Sequence, residues 1–199
     1  MFLLIFRYDN QIRRGSGSVR MKNALIICSS WTGSTKEIAH YIAKVLEKCY
    51  FQSKVISPEE RVDFSPYDLI VLGTSIHAGL TTASFRKFLH KHIRDLSGRA
   101  VAYFVSCANM NNDTQETRSE TLAWLQNGIQ AYDSIKPISI GLFGGAIITS
   151  GESFLGLNFF IRHIIKAMKK KMVSEYGKSD FRDWEQIEAW ALDLANKVN

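Results

Sequence analysis

The chain has 199 residues, 46% apolar and 22% charged, with 25 Lys and Arg against 19 Asp and Glu for a formal charge of +6. That length suits one domain with a sizeable core, and 13 Gly with 3 Pro are too few for a disordered or collagen-like chain. Cys28, Cys49 and Cys107 make neither a disulfide framework nor a zinc-site spacing, so a reduced, cytoplasmic setting without a bound metal is expected, and no apolar run reaches the roughly 18 residues of a membrane span.

Residues 1–20 hold Arg7, Arg13, Arg14 and Arg20 against Asp9, half of the net charge. Six apolar residues come first and the basic ones after, the reverse of a signal peptide. The segment is read as a loose extension, or as sequence upstream of a start at Met21. From residue 21 onward short apolar runs alternate with amphipathic stretches. A strand at 24–28 (ALIIC) has the unbroken apolar run of a strand buried on both faces. A helix is predicted over 35–49, then a strand at 53–56 and another at 68–73 (DLIVLG). A helix at 84–96 precedes a strand at 100–106 (AVAYFVS), a helix at 117–127, a strand at 137–143 and a last helix at 183–198. Five strands alternating with helices predict an α/β fold with a parallel sheet covered on both faces. Ligands then bind beyond the carboxyl ends of the strands, which directs attention to the residues after Cys28, Gly73 and Ser106.

Between the first strand and its helix stand Ser29, Ser30, Trp31, Thr32, Gly33, Ser34 and Thr35. Hydroxyls and one glycine at a helix N-terminus suit an anion, because backbone N–H groups and the helix dipole converge there. Neither a Walker pattern nor GxGxxG is present, and no cation lies in the loop, which fits a single monophosphate better than a triphosphate.

The segment S-W-T-G-S-T resembles the phosphate loop of the flavodoxin family. That resemblance implies a flavodoxin-like three-layer sandwich of sheet order 2-1-3-4-5 with FMN as cofactor, its phosphate held by Ser30, Trp31, Thr32, Gly33, Ser34 and Thr35. It further implies that a loop formed by Thr74, Ser75, Ile76, His77, Ala78 and Gly79 lies against the flavin ring. Ser106, Cys107, Ala108 and Asn109 would line its pyrimidine edge mainly through backbone groups, with the Cys107 side chain read as small packing rather than a redox thiol. The paired Trp and Tyr that sandwich the ring in many electron-carrier flavodoxins are not evident in these loops. No catalytic acid or base stands out beyond His77, which is near-neutral in its ordinary pKa and is read equally as a surface residue.

The connection from 144 to 182 is far longer than the usual two to six residues. Within it, 154–172 (FLGLNFFIRHIIKAMKKKM) reads as one amphipathic helix. Phe154, Leu157, Ile161, Ile164, Ile165, Met168 and Met172 fall on one face, with Arg162, His163, Lys166, Lys169 and Lys170 on the other. It suits an anionic membrane surface, the wall of a pocket for an apolar carboxylate ligand, or plain packing with a solvated basic face; nucleic acid is disfavoured because the aromatics avoid the lysines. Together with S-I-x-x-G at 75–79, a Phe-rich helix ending at His92, Gly144–Gly145 and D-W-E-Q-I at 183–187, this insertion resembles the menaquinone-dependent protoporphyrinogen IX dehydrogenases. The resemblance implies an FMN oxidoreductase of haem biosynthesis with a tetrapyrrole substrate, a membrane quinone as acceptor, and Arg162, Lys166, Lys169 and Lys170 toward substrate or membrane on the cytoplasmic face. The alternative is a flavodoxin-type electron carrier serving a protein partner. Residues 146–152 offer no basic or aromatic side chain for a tetrapyrrole, and oligomeric state is not legible.

Overall fold

The computed structural model describes residues 20–198, so the expectation for residues 1–20 lies, Arg20 apart, outside the described residues. The apolar runs form a parallel sheet of strands β1 (Lys22–Ser29), β2 (Phe51–Ile56), β3 (Leu69–His77), β5 (Val101–Cys107) and β6 (Pro137–Gly144), in the order β2-β1-β3-β5-β6. A two-residue strand, β4 (Leu80–Thr81), pairs antiparallel with the end of β3. Discounting that short strand, the order is the predicted 2-1-3-4-5.

Alternate residues of the inner strands face opposite layers. Ala24, Ile26, Leu69, Val71, Ala102 and Phe104 pack with Ile38, Ile42 and Leu46 of α1 (Ser34–Lys48) and with Ile187, Ala191 and Leu194 of α6 (Trp184–Val198). Leu25, Ile27, Ile70, Leu72, Tyr103 and Val105 pack with Phe85, Phe88 and Leu89 of α2 (Ala83–Leu96) and Leu125 of α3 (Gln115–Ile129). Because β1, β3 and β5 are covered on both sides, continuous apolar runs rather than alternating ones specify them.

Two expectations need correction. The strand predicted to stop at Gly73 continues to His77, its register with β5 running unbroken from Ile70↔Val101 to Ile76↔Cys107. Gly73 does not end the strand; it makes room for a neighbour, since a Cβ there would lie 2.2 Å from the Phe104 ring. The expected loop at 74–79 is therefore strand followed by a tight hairpin. Ala78 (φ 48°) and Gly79 (φ 76°) take the consecutive left-handed conformations that suit a two-residue turn between twisted strands.

The predicted helix over 154–172 is also broken. A short α4 (Gly151–Leu155) ends at Gly156, and α5 (Phe159–Tyr176) begins afresh after Asn158, whose Oδ1 accepts from the Ile161 N–H at 2.9 Å. Asn158 supplies an N-cap in mid-pattern, so the chain turns between the two halves of the apolar stripe. The connection then returns beside its own start. Ala146 bridges Asp180, the Phe181 N–H donates to the Gly145 carbonyl, and the Ile147 N–H donates to the Ser179 carbonyl. Only glycine fits at 144, where a Cβ would meet the Phe181 carbonyl oxygen at 1.9 Å.

Candidate functional site

The carboxyl ends of β1, β3, β5 and β6 converge on one cleft, and the insertion closes its far side. The first wall is the loop from β1 into α1. Gly33 sits at the helix N-cap with φ 100°, and its N–H donates to Ser30 Oγ at 3.0 Å. Among the described residues no side chain caps α1, so its first-turn N–H groups are left for an external acceptor. The nearest acid, Glu37, is already engaged at 2.6 Å by Arg182 from the returning end of the insertion. Thr32 and Ser34 line the cleft beside this helix end. Thr35 is fully buried, its Oγ1 2.7 Å from Ser106 Oγ, which ties the loop to the end of β5.

Further hydroxyls brace the loop from below. Ser29 Oγ lies 2.5 Å from Ser84 Oγ and accepts from Thr82 Oγ1 at 2.7 Å, while Thr82 Oγ1 lies 3.2 Å from Thr74 Oγ1. Three element ends, those of β1, β3 and the start of α2, are thus held by a buried chain of hydroxyl groups, each of which needs a partner once removed from water. Thr74 belongs to this chain and is buried away from the cleft.

The second wall is the end of β3. Ser75, Ile76 and His77 line the cleft, and His77 Nε2 lies 2.9 Å from Ser75 Oγ. The His77 ring stacks on Trp31 with centroids 4.3 Å apart and planes 20° from parallel. Burial disfavours the imidazolium and draws the His77 pKa below its ordinary value of 6.5, so the ring is neutral at pH 7. Trp31 remains 46% exposed, a lid on the mouth. Ala78 and Gly79 form the hairpin turn beyond, with Gly79 resting near Trp124.

The third wall has Ser106 and Ala108 at the end of β5 and Gly145, Ala146 and Ile147 after β6. Cys107 and Asn109, expected here mainly through backbone groups, turn their side chains elsewhere, and Cys107 is packed as expected. Cys107 is in the core with its thiol pKa raised by burial, and its Sγ accepts from the Asn109 N–H. The Asn109 amide donates to Glu120 Oε2 of α3 at 3.0 Å. Cys28 is equally inert, its pKa pushed up to about 12 by burial.

The fourth wall comes from α5, whose Ile165, Met168 and Met172 face the cleft. Of the four basic residues singled out on this helix, Lys169 donates to Thr149 Oγ1 at 3.2 Å and the Lys166 ammonium lies 6.0 Å from the Phe154 ring centroid. Lys170 is exposed, and Arg162 is half-buried with an Nε that finds no partner among the described residues. Sequence reasoning missed Ile147 and the Arg182 latch. The latch is a long-range contact between α1 and the chain just before α6, reinforced by three Arg182–Asp180 hydrogen bonds and by packing of the guanidinium over Trp184. Its only sequence signal was an Arg beside an Asp.

Chemically the cleft offers an anion-ready helix end, a set of neutral donors and an apolar wall of isoleucine and methionine. A phosphate-bearing cofactor with a flat ring fits this donor set: the phosphate meets uncapped N–H groups and hydroxyls, and the ring meets uncharged surface. No cluster among the described residues could hold a metal ion. No described helix is long and apolar enough to cross a membrane.

Known proteins agree with this architecture. The chain is 26% identical over 183 residues to protoporphyrinogen IX dehydrogenase (quinone) of Escherichia coli (strain K12), a match that covers 86% of this chain and 94% of the relative. The protein of the same name from Leishmania major is 25% identical over 180 residues, covering 86% and 74%. A flavodoxin from the domain Archaea shares the fold with a TM-score of 0.53 at 15% identity, over 88% of this chain and 98% of that one. The model of the flavodoxin domain family matches residues 25–180, and the chain belongs to that family.

Proposed function

We propose that this chain is an FMN oxidoreductase that dehydrogenates protoporphyrinogen IX and passes the electrons to a quinone. The observation that carries the reading is the meeting of two surfaces in one cleft: an uncapped, hydroxyl-rich helix N-terminus at the end of β1, and an Ile/Met wall contributed by the long insertion. Relatives matched along most of the chain bear the name of that enzyme, and membership of the flavodoxin domain family supports the cofactor class.

In this reading the N–H groups opening α1, with Ser30, Thr32, Gly33 and Ser34, hold the phosphate, and Thr35 fixes the loop through Ser106. The FMN ring, when bound, supplies the acceptance of hydrogen from the donor and its onward transfer as electrons. The protein's share is placement and exclusion of water. Trp31 and His77 bound the ring site on one side. Ile165, Met168 and Met172 present a polarizable apolar surface to a tetrapyrrole or a quinone on the other. Neutral His77, hydrogen-bonded to Ser75, holds a proton acceptor at one ring nitrogen in the same wall. Arg162 and Lys169, about one turn to either side of the buried Ile165 on α5, would pair with the substrate's propionates. An electron carrier for a protein partner is the weaker reading, because the helix beside the cleft is basic and apolar where a carrier of this fold would present acids.

The test separates the two half-reactions under anaerobic conditions. FMN-loaded protein is expected to bleach on addition of protoporphyrinogen IX and to regain colour with a menaquinone analogue. Failure of both half-reactions in protein that holds FMN contradicts the proposal.

A further inference from the structure

Helix α5 has two apolar surfaces, and the cleft accounts for one. Ile165, 3% exposed, turns inward with Met172. Leu155, Phe159, Phe160 and Ile164 turn outward at 62%, 69%, 76% and 54% exposure. The two phenylalanine rings meet edge to face at 5.9 Å, and Phe159 stacks against His163 at 6.3 Å, so the start of the helix is an exposed aromatic tip. Such a concentration of large apolar side chains marks an interaction surface.

Charge says what the surface meets. His163, Lys166 and Lys170 share the stripe of Phe159 at helical spacing, and Lys171 lies between the stripes of Phe160 and Ile164. None of these four forms an ion pair among the described residues, and no acid occurs between Glu152 and Glu175. Apolar residues gather at the first turns and lysines in the third and fourth. A helix graded in this way enters an interface by its aromatic end and leaves its ammonium groups at the level of anionic headgroups. A second copy of the chain would bring lysines against lysines.

We infer that the α4–α5 tip docks on an anionic bilayer, with Leu155, Phe159, Phe160 and Ile164 among the acyl chains and Lys166, Lys170 and Lys171 on the lipid phosphates. Met168 is at once 48% exposed and part of the cleft wall, so the docked face and the cleft are continuous. A lipid-dissolved quinone then reaches the cleft along the helix without crossing water. This deepens the proposed function and rests on it for its purpose, but binding to lipid is measured without turnover, so failure of one leaves the other standing.

The experiment is flotation of the full chain with vesicles of phosphatidylcholine alone and of phosphatidylcholine mixed with phosphatidylglycerol. Binding is expected only to the mixed vesicles and is expected to weaken as salt is raised. Phe159→Ser with Phe160→Ser should weaken it by about tenfold or more while FMN binding is retained. Lys166→Ala, Lys170→Ala and Lys171→Ala together should weaken it by about a hundredfold. Should the serine variant not fold, Phe160→Trp serves instead: its emission is expected to shift to the blue with mixed vesicles and to be quenched by brominated lipid. Absence of binding by the wild type, equal binding to both vesicle types, or unchanged binding by the variants overturns the inference. So does concentration-dependent dimerisation in sedimentation that the Phe variants abolish.

Discussion

The sheet side of the cleft and the insertion side hold their residues by different means. On the sheet side, side chains sit on strand ends and a helix start that are buried on both faces, and hydroxyl groups of Ser29, Thr82, Thr74, Thr35 and Ser106 bond to one another out of water. On the insertion side, α5 has one fully buried residue, Ile165, and the segment is fastened mainly at its return, by the Ala146–Asp180 bridge and the Arg182 latch to Glu37. On the function proposed above, the rigid side would hold the cofactor that every cycle reuses and the looser wall would meet what enters and leaves, so that cofactor binding and substrate choice are expected to fail separately.

The largest effects are expected from replacing two glycines, one on each side. Gly73→Ala drives a methyl into the Phe104 ring and is expected to cost about 1–3 kcal/mol or more of global stability, read as a lower urea midpoint. Gly144→Ala pushes against the Phe181 carbonyl instead, where the neighbour is the closing leg of the insertion. It is expected to open residues 146–180 to limited proteolysis with a smaller change in midpoint. Equal effects of the two on both measurements would contradict the division into two regions.

Substitutions on opposite walls of the cleft are expected to separate binding from turnover. Ser34→Ala removes a neutral donor beside the uncapped helix end and is expected to weaken FMN binding about tenfold or more, because a hydrogen bond to a charged group is worth about 1.5–3 kcal/mol. Met172→Ala, on the opposite wall, is expected to leave FMN affinity within about twofold and to lower porphyrinogen turnover, since trimming an apolar contact of this size is worth about 1–3 kcal/mol. Flavin fluorescence titration and steady-state rates separate these outcomes.

A smaller effect follows from His77. Burial lowers its pKa in the folded chain below the 6.5 of the unfolded one, so in the window below 6.5 the unfolded state binds the extra proton. Stability from this group is fully present above pH 6.5 and is lost as pH falls through that window. His77→Gln is expected to flatten this part of the stability profile, and a Trp31 emission change that follows pH in the wild type should vanish with it. The smallest effect is at Tyr103, whose hydroxyl is buried without a partner among the described residues while burial raises its pKa. Tyr103→Phe removes an unsatisfied group and is expected to be neutral or stabilising by at most about 1 kcal/mol in thermal unfolding.

The sheet was legible because its determinants are local. ALIIC and AVAYFVS are strands by composition and length, and S-W-T-G-S-T between a strand and a helix pattern marks a loop at a helix start. Gly73 was read as punctuation because a strand glycine that yields space to a ring on the next strand looks no different in sequence from one that ends a strand. The insertion hid more. Periodicity gathered Phe154, Ile161, Ile164, Ile165, Met168 and Met172 onto one stripe, yet the Asn158 cap separates Phe154 from the others, and within α5 the buried stripe is narrower than the apolar one: Ile165 and Met172 turn to the cleft while Ile164, one 100° step away, turns outward. Residues 74–77 were placed in a loop because their pairing with β5 and, at Ile76 and His77, with β4 is a tertiary fact, as is the bond that turns the Asn109 side chain to Glu120.

The most direct measurement compares the affinity of the flavin-free protein for FMN and for riboflavin, which differ only in the phosphate. The account predicts yellow protein on purification and FMN bound at least about a hundredfold more tightly than riboflavin, the phosphate meeting several charge-assisted hydrogen bonds at the opening of α1. Colourless protein that takes up neither compound, or that binds both alike, would contradict the claim that residues 30–35 grip a monophosphate with hydroxyls and backbone alone.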